Sequence, residues 1–246
     1  MFRSLLRRPR TLLLPLLLSV AASATAEEAP LPVTVFKNLQ AGKKQTVVVY
    51  GTSLSINGAW ANAAREYFDK EFPGQVTFAN AAQGGMHSNW GVENLQKRVL
   101  ARHPDLVFIE FSANDAATKH NISREKSEAN LDRMVKALRQ QNPQVDIIVQ
   151  TMNPAWDSTT NTAKKYDTDR PELESYYDVY RSYAQKNHLP LADHYPNWAK
   201  IKKDDPQRFE KEVADGIHPQ SEPSLAVTWP TIRQLLENAR TEAKKQ

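Results

Sequence analysis

The chain alternates short apolar runs with longer amphipathic stretches, and this alternation narrows the architecture before any motif is considered. Residues 46–50, 76–79, 106–111, 146–150 and a short run at 189–192 read as strands. Several are continuous β-branched or apolar runs, the pattern of strands covered on both faces. Between them lie helical patterns. Residues 59–72 set Trp60, Ala63, Ala64, Tyr67 and Phe68 on one face, and Leu131, Met134, Val135 and Leu138 repeat at helical spacing within 123–140. Residues 171–186 place Leu173, Tyr176, Tyr177, Tyr180 and Ala184 similarly, with Pro171 suited to a first turn. A last helix follows Ser221, with Ile232, Leu235 and Leu236 facing inward. Strand–helix alternation of this kind predicts an α/β fold, with one parallel sheet of about five strands covered by helices on both faces. Right-handed crossovers then bring the C-terminal ends of all strands to a single edge, where such sheets bind ligands.

Residues 1–26 stand outside this pattern. Arg3, Arg7, Arg8 and Arg10 precede a leucine-rich run from Thr11 to Val20, and Ala24-Thr25-Ala26 has the small-x-small form of a signal-peptidase site. The apolar run is too short to span a bilayer with ease. The expectation is cleavage near Ala26, a periplasmic or extracellular location, and no stable membrane anchor afterwards. Residues 27–45, with Pro30 and Pro32, are expected to form an N-terminal arm, and 46–246 one catalytic domain. Without 1–26 the 32 basic residues lose four arginines, leaving 28 against 28 acidic ones. That balance gives no reason to expect a nucleic-acid partner. The absence of cysteine excludes disulfides, thiolate metal sites and cysteine nucleophiles.

The chemistry-bearing residues fall where the strands end. The first strand runs into Gly51-Thr52-Ser53, the second into Asn80-Ala81-Ala82-Gln83-Gly84-Gly85, and the third into Ser112-Ala113-Asn114-Asp115. Far downstream stands Asp215-Gly216-Ile217-His218-Pro219. Each block alone is an ordinary turn or cap. Together they contain what acyl transfer needs. A serine hydroxyl becomes a useful nucleophile only when a neighbouring base takes its proton. His218 suits that role for Ser53, and Asp215, three residues earlier, suits the other ring nitrogen. The amides of Ser53 and Gly85 and the side-chain amide of Asn114 are candidate donors to the negative oxygen of a tetrahedral intermediate. A glycine at 85 would leave room for the acyl group.

These blocks resemble those of the SGNH (GDSL-type) hydrolase superfamily, named for its serine, glycine, asparagine and histidine, and they follow its order from Gly51 to Pro219. The resemblance implies a flavodoxin-like three-layer α/β/α sandwich and ester hydrolysis with no cofactor and no metal. It also implies catalytic roles for Ser53, Asp215 and His218, with an oxyanion hole of Ser53, Gly85 and Asn114. Two positions depart from the family pattern. Thr52 replaces the usual aspartate, leaving a hydroxyl as a weaker cap. Ser112 replaces a glycine, which is tolerable unless that backbone requires φ > 0. Both mark a divergent GTSLS branch.

Other residues admit functional and structural readings. His87 and Trp90, after the second block, are expected to border substrate, although a tryptophan at a helix entry also packs on sheets. Asn153 and Trp156 follow the fourth strand and are expected to shape the same cleft. Asp193-His194 is a rival acid–base pair whose spacing suits a triad less well than Asp215/His218. His87, His103, His120 and His188 show no metal-ligand spacing and read as solvated or capping residues. Asp115 reads as a loop anchor, and Tyr176, Tyr177, Tyr180 and Tyr183 as core. The expected function is an exported serine esterase acting on short O-acyl esters of a small molecule or saccharide. An acyltransferase with the same site, a lysophospholipase or thioesterase, and a non-catalytic carbohydrate-binding protein are the competing readings.

Overall fold

A computed structural model describes residues 29–160 and 162–245; the expected signal segment, 1–26, lies outside them. Five parallel strands, β1 (Gln45–Tyr50), β2 (Val76–Asn80), β3 (Leu106–Ile109), β4 (Asp146–Gln150) and β5 (Leu191–Ala192), form one sheet in the order β2-β1-β3-β4-β5. The chain thus begins near one edge, steps outward to β2, and then reverses through β3. The reversal places a crevice between the C-terminal ends of β1 and β3, the usual ligand position in this topology.

In chain order the helices are α1 (Val33–Gln40), α2 (Ser53–Ile56), α3 (Ala59–Glu71), α4 (Ser88–Arg98), α5 (Ser112–Asp115), α6 (Arg124–Gln141), α7 (Leu173–Lys186), α8 (Tyr195–Asp204), α9 (Pro206–Glu212), α10 (Ser221–Pro223) and α11 (Trp229–Ala243). Alternate residues of β1 feed opposite cores. Val47 and Val49 pack with α1, α3 and α11, whereas Val48 and Tyr50 pack with α4, α6 and the end of α7. All four are fully buried, which is why this strand reads as a continuous apolar run. The tyrosines of α7 are core residues, as their spacing predicts.

Two elements differ from their sequence reading. Residues 33–40, expected within an arm, form a helix because Val35, Phe36 and Leu39 recur at helical spacing and are buried. Phe36 stacks on Phe68, with centroids 5.8 Å apart, and Asp146 accepts the Val35 amide at 2.7 Å. β3 ends at Ile109 rather than Phe111, because Glu110 turns its carboxylate toward the end of β1.

Candidate active site

Gly51, just past β1, runs close against Glu110, just past β3. A Cβ on it would fall 2.3 Å from Glu110 Oε1 and 2.6 Å from the Glu110 carbonyl oxygen, so only glycine lets the strand end pass. Thr52 then caps α2. Its hydroxyl accepts the Leu54 amide at 3.2 Å and donates to the Glu110 carboxylate, whose oxygens lie 3.0 and 3.1 Å away. The Thr52 amide and the Ser55 hydroxyl also donate to Glu110, at 2.6 and 2.7 Å. Glu110 is fully buried, and burial lifts its carboxyl to about 7 despite the bonds from Ser55 and Thr52. The turn that presents Ser53 is therefore built on a buried acid of the neighbouring strand.

The second block is tied to the first. Gly51 accepts the Gln83 amide at 2.9 Å, and Asn80 donates to the Ser55 carbonyl at 3.0 Å. Gly85 has φ +75°, a conformation that disfavours side chains, while a Cβ there would meet no protein atom within 4 Å. The backbone itself thus requires glycine at 85, in addition to the space left for an acyl group. In the third block Ser112 lies in a helical turn and not among the residues with positive φ, so its replacement of glycine carries no strain. Asp115 accepts the Ser88 amide at 2.8 Å and the Ser127 hydroxyl at 2.5 Å, which anchors the block to α4 and α6.

Asn114 is held at both ends of its amide. Nδ2 donates to the Met86 carbonyl at 2.8 Å, and Oδ1 accepts from Arg170 Nη2 at 3.1 Å. That arrangement fixes which end is nitrogen and leaves the second Nδ2 hydrogen for a ligand. Arg170 is buried, also donates to the Ala113 carbonyl at 2.7 Å and the Tyr166 carbonyl at 3.3 Å, and makes no ion pair among the described residues.

The fourth block closes the site. His218 Nε2 lies 2.7 Å from Ser53 Oγ, and His218 Nδ1 lies 2.5 Å from Asp215 Oδ2. Asp215 Oδ1 accepts the amides of Ile217 and His218 at 3.0 and 2.8 Å. Partial burial would raise the Asp215 carboxyl, but these bonds and the imidazole outweigh it and hold the group at about 2. Asp215 is thus ionised wherever His218 would need it. The rival pair is placed elsewhere: Asp193 binds Arg181 and Thr151, and His194 is buried against Gln150.

Two cavities open at Ser53. One, of ≈ 250 Å³, is lined by Leu54, Asn57, Trp60, Met152 and Thr228 beside His218. The other, of ≈ 180 Å³, holds Gly85 and Asn114 and is walled by Lys119, His120, Lys164, Tyr166 and Arg170. A larger concavity of ≈ 740 Å³, bordered by Leu31, Gln185 and Leu235, contains none of the four blocks.

The four residues expected to border substrate line neither cavity at Ser53. Trp90 packs on Tyr50 and Phe111, and the Arg98 guanidinium covers its ring at 4.9 Å, so no indole face is offered to a sugar. Asn153 is buried and donates to the Ile217 carbonyl at 2.8 Å; Trp156 Nε1 donates to the Val213 carbonyl at 2.6 Å. Both hold the loop that carries His218. The His87 ring lies tilted against that of His120, with centroids 4.6 Å apart, and it is His120 that reaches the cavity. Lys119, Lys164, Tyr166 and Arg170 carried no sequence expectation, and His120, expected as a solvated or capping residue, is in the cavity wall. Their signal was position, on the segments that follow the third block and the fourth strand at the functional edge.

Among solved structures the fold resembles a lipase/acylhydrolase from Enterococcus faecalis, with a TM-score of 0.63 at 19% identity over 79% of this chain and 96% of that one. A two-domain esterase active on acetylated mannans gives 0.63 at 20% identity over 87% of this chain and 56% of that one. An acetylxylan esterase from Geobacillus stearothermophilus gives 0.61 at 14% identity over 79% and 94%. No curated protein matches the chain. The model of the GDSL-like Lipase/Acylhydrolase family matches residues 46–222, a span that takes in the turns of Ser53, Gly85 and Asn114 as well as the Asp215–His218 loop, and the chain belongs to that family of carboxylic ester hydrolases.

Proposed function

We propose that the protein is an exported serine esterase that removes short acyl groups from a carbohydrate through an acyl-enzyme. The observation that carries this reading is the continuous contact from Asp215 through His218 to Ser53, at 2.5 and 2.7 Å. His218 takes the Ser53 proton as Oγ attacks the ester carbonyl, and Asp215 stabilises the imidazolium that forms. Neither the Ser53 nor the Gly85 amide hydrogen bonds within the described residues. Those two amides and the second hydrogen of Asn114 Nδ2 receive the oxyanion. The same imidazolium then protonates the leaving alcohol, and a water deprotonated by His218 releases the acid.

Support for a carbohydrate comes from the two structural relatives that act on acetylated mannan and acetylated xylan. Support for export comes from the basic, apolar and small-residue segments of 1–26. Among the described residues no helix is long and apolar enough to cross a membrane. The test is labelling with a fluorophosphonate alongside turnover of p-nitrophenyl acetate. Wild type is expected to be labelled at Ser53 and to hydrolyse the ester, and Ser53→Ala to do neither while melting normally. Turnover that survives Ser53→Ala would overturn the reading. Among the described residues no cluster of His, Asp and Glu has the geometry to hold a metal, and EDTA is expected to leave the activity unchanged.

A further inference from the structure

We infer that the substrate carries an acidic group close to the reacting ester, and that Lys119 and Lys164 receive it; this rests on the esterase reading above. The smaller cavity at Ser53 has Lys119, Lys164 and Arg170 in its wall and no carboxylate. Composition does not explain this, since the chain from residue 27 onward has equal numbers of basic and acidic residues. Local pairing does not explain it either. Lys119 and Lys164 are exposed and make no ion pair within the described residues, while eight of the other lysines and arginines do.

The two lysines come from different segments, one on the turn after α5 and the other on the segment between β4 and α7, yet they wall one cavity of ≈ 180 Å³. Two like charges brought together raise each other's energy unless an anion lies between them, and a concave wall focuses their field on what enters. His120, in the same wall, is held neutral: burial lowers it to about 4, helped by His87, Lys119 and Arg170. It therefore offers a polar imidazole without adding a cation.

A competing account would assign these charges to the oxyanion alone. Arg170 suits that account, because it contacts Asn114 from behind. The lysines do not, because neither hydrogen bonds to an oxyanion donor. The two accounts differ in what they favour. Charge aimed at the oxyanion speeds every ester alike, whereas charge aimed at substrate favours acidic esters and fades with salt.

The experiment compares kcat/KM for an acetylated oligogalacturonate, an acetylated sugar phosphate and an acetylated xylo-oligosaccharide, at 20 and 300 mM salt. One or both acidic esters are expected to exceed the neutral one by roughly tenfold or more at low salt, and the excess should shrink at high salt. Which of the two is favoured identifies carboxylate or phosphate. In Lys119→Glu/Lys164→Glu the ratio of acidic to neutral ester should fall to one or below. Turnover of p-nitrophenyl acetate with no preference for either acidic ester would overturn this inference and leave the esterase reading standing. If no ester is turned over, calorimetry decides the matter independently. Salt-sensitive binding of oligogalacturonate or a sugar phosphate to wild type, lost in the double variant, would sustain the acidic site, and equal binding by both proteins would overturn it.

Discussion

Glu110 accepts the Thr52 amide at 2.6 Å from the end of the adjacent strand, so the turn that carries Ser53 rests on a carboxylate rather than containing one. The family's usual aspartate is missing at 52, and the threonine hydroxyl donates to the same acid. Two protonation states of Glu110 therefore compete at the base of the site. Burial favours the neutral one and lifts the group from 4.5 to about 7.

The consequence is a pH-dependent stability. A folded-state value above the unfolded one means that the native protein binds this proton more tightly. The contribution is fully present below about 4.5 and is lost as pH rises through about 7. Asp146, which burial also raises to about 7, acts in the same direction. Wild type is expected to lose stability between pH 5 and pH 8, with Glu110 contributing about 3 kcal/mol at most. Glu110→Gln should make the urea midpoint distinctly less dependent on pH. An unchanged slope in that variant would mean that Glu110 stays charged in the fold.

Arg170 gives a second prediction, because its guanidinium holds the Oδ1 of Asn114 at 3.1 Å. Asn114→Ala should lower kcat by on the order of 10²–10³-fold with little change in KM, as loss of one oxyanion donor does elsewhere. Arg170→Met should lower kcat in the same manner, by a smaller factor, since it frees the amide to turn. Groups that act as a unit are not additive, so Arg170→Met should cost little more once Asn114 is already alanine. A full additional loss in the double variant would show that Arg170 acts on substrate directly.

The strand ends and the four blocks were legible because each depends on local sequence. A glycine after an apolar run, a glycine pair after the second strand and an Asp-x-x-His turn all announce themselves within a few residues. What was not legible depends on which way a residue faces after the chain has crossed the sheet. Trp90 stands two residues after the N-terminal end of α4, and the helix turns it onto Tyr50. Arg170 lies 56 residues from Asn114, and nothing in the local sequence pairs them. Glu110 was visible as one acid in an apolar run, a placement that is costly without partners, but its partners lie on another strand. Residues 33–40 were obscured by Pro30 and Pro32, although Pro32 is compatible with a helix N-cap position.

That helix supplies a stability prediction. Phe36 is fully buried between Phe68 and Phe72, with ring centroids 5.8 and 5.9 Å away. Phe36→Ala should cost about 3–5 kcal/mol, as deletion of a buried aromatic ring commonly does. Denaturant melts of the variant test it, and a cost below about 1 kcal/mol would mean that residues 33–40 are a dispensable arm after all.

Acyl length follows from the cavity on the other side of Ser53. Leu54, Trp60 and Met152 give its ≈ 250 Å³ apolar walls, and all three belong to the packed core. Trp60 is almost fully buried and its indole N–H is tied to the Leu54 carbonyl at 3.0 Å, so this wall does not swing aside. Extending a chain into such a wall requires displacing packed atoms, which typically costs 1–3 kcal/mol (about 5–150-fold in rate). Acetyl and butyryl p-nitrophenyl esters are therefore expected to exceed octanoyl and longer ones in kcat/KM by roughly that range. Met152→Ala should shift the optimum toward longer chains, at a stability cost of about 2–5 kcal/mol because Met152 also belongs to the core. A steady rise in kcat/KM from acetyl to long acyl chains in wild type would show instead that the acyl group leaves the site by another route, as in a lipase, and the short-acyl assignment would fall with it.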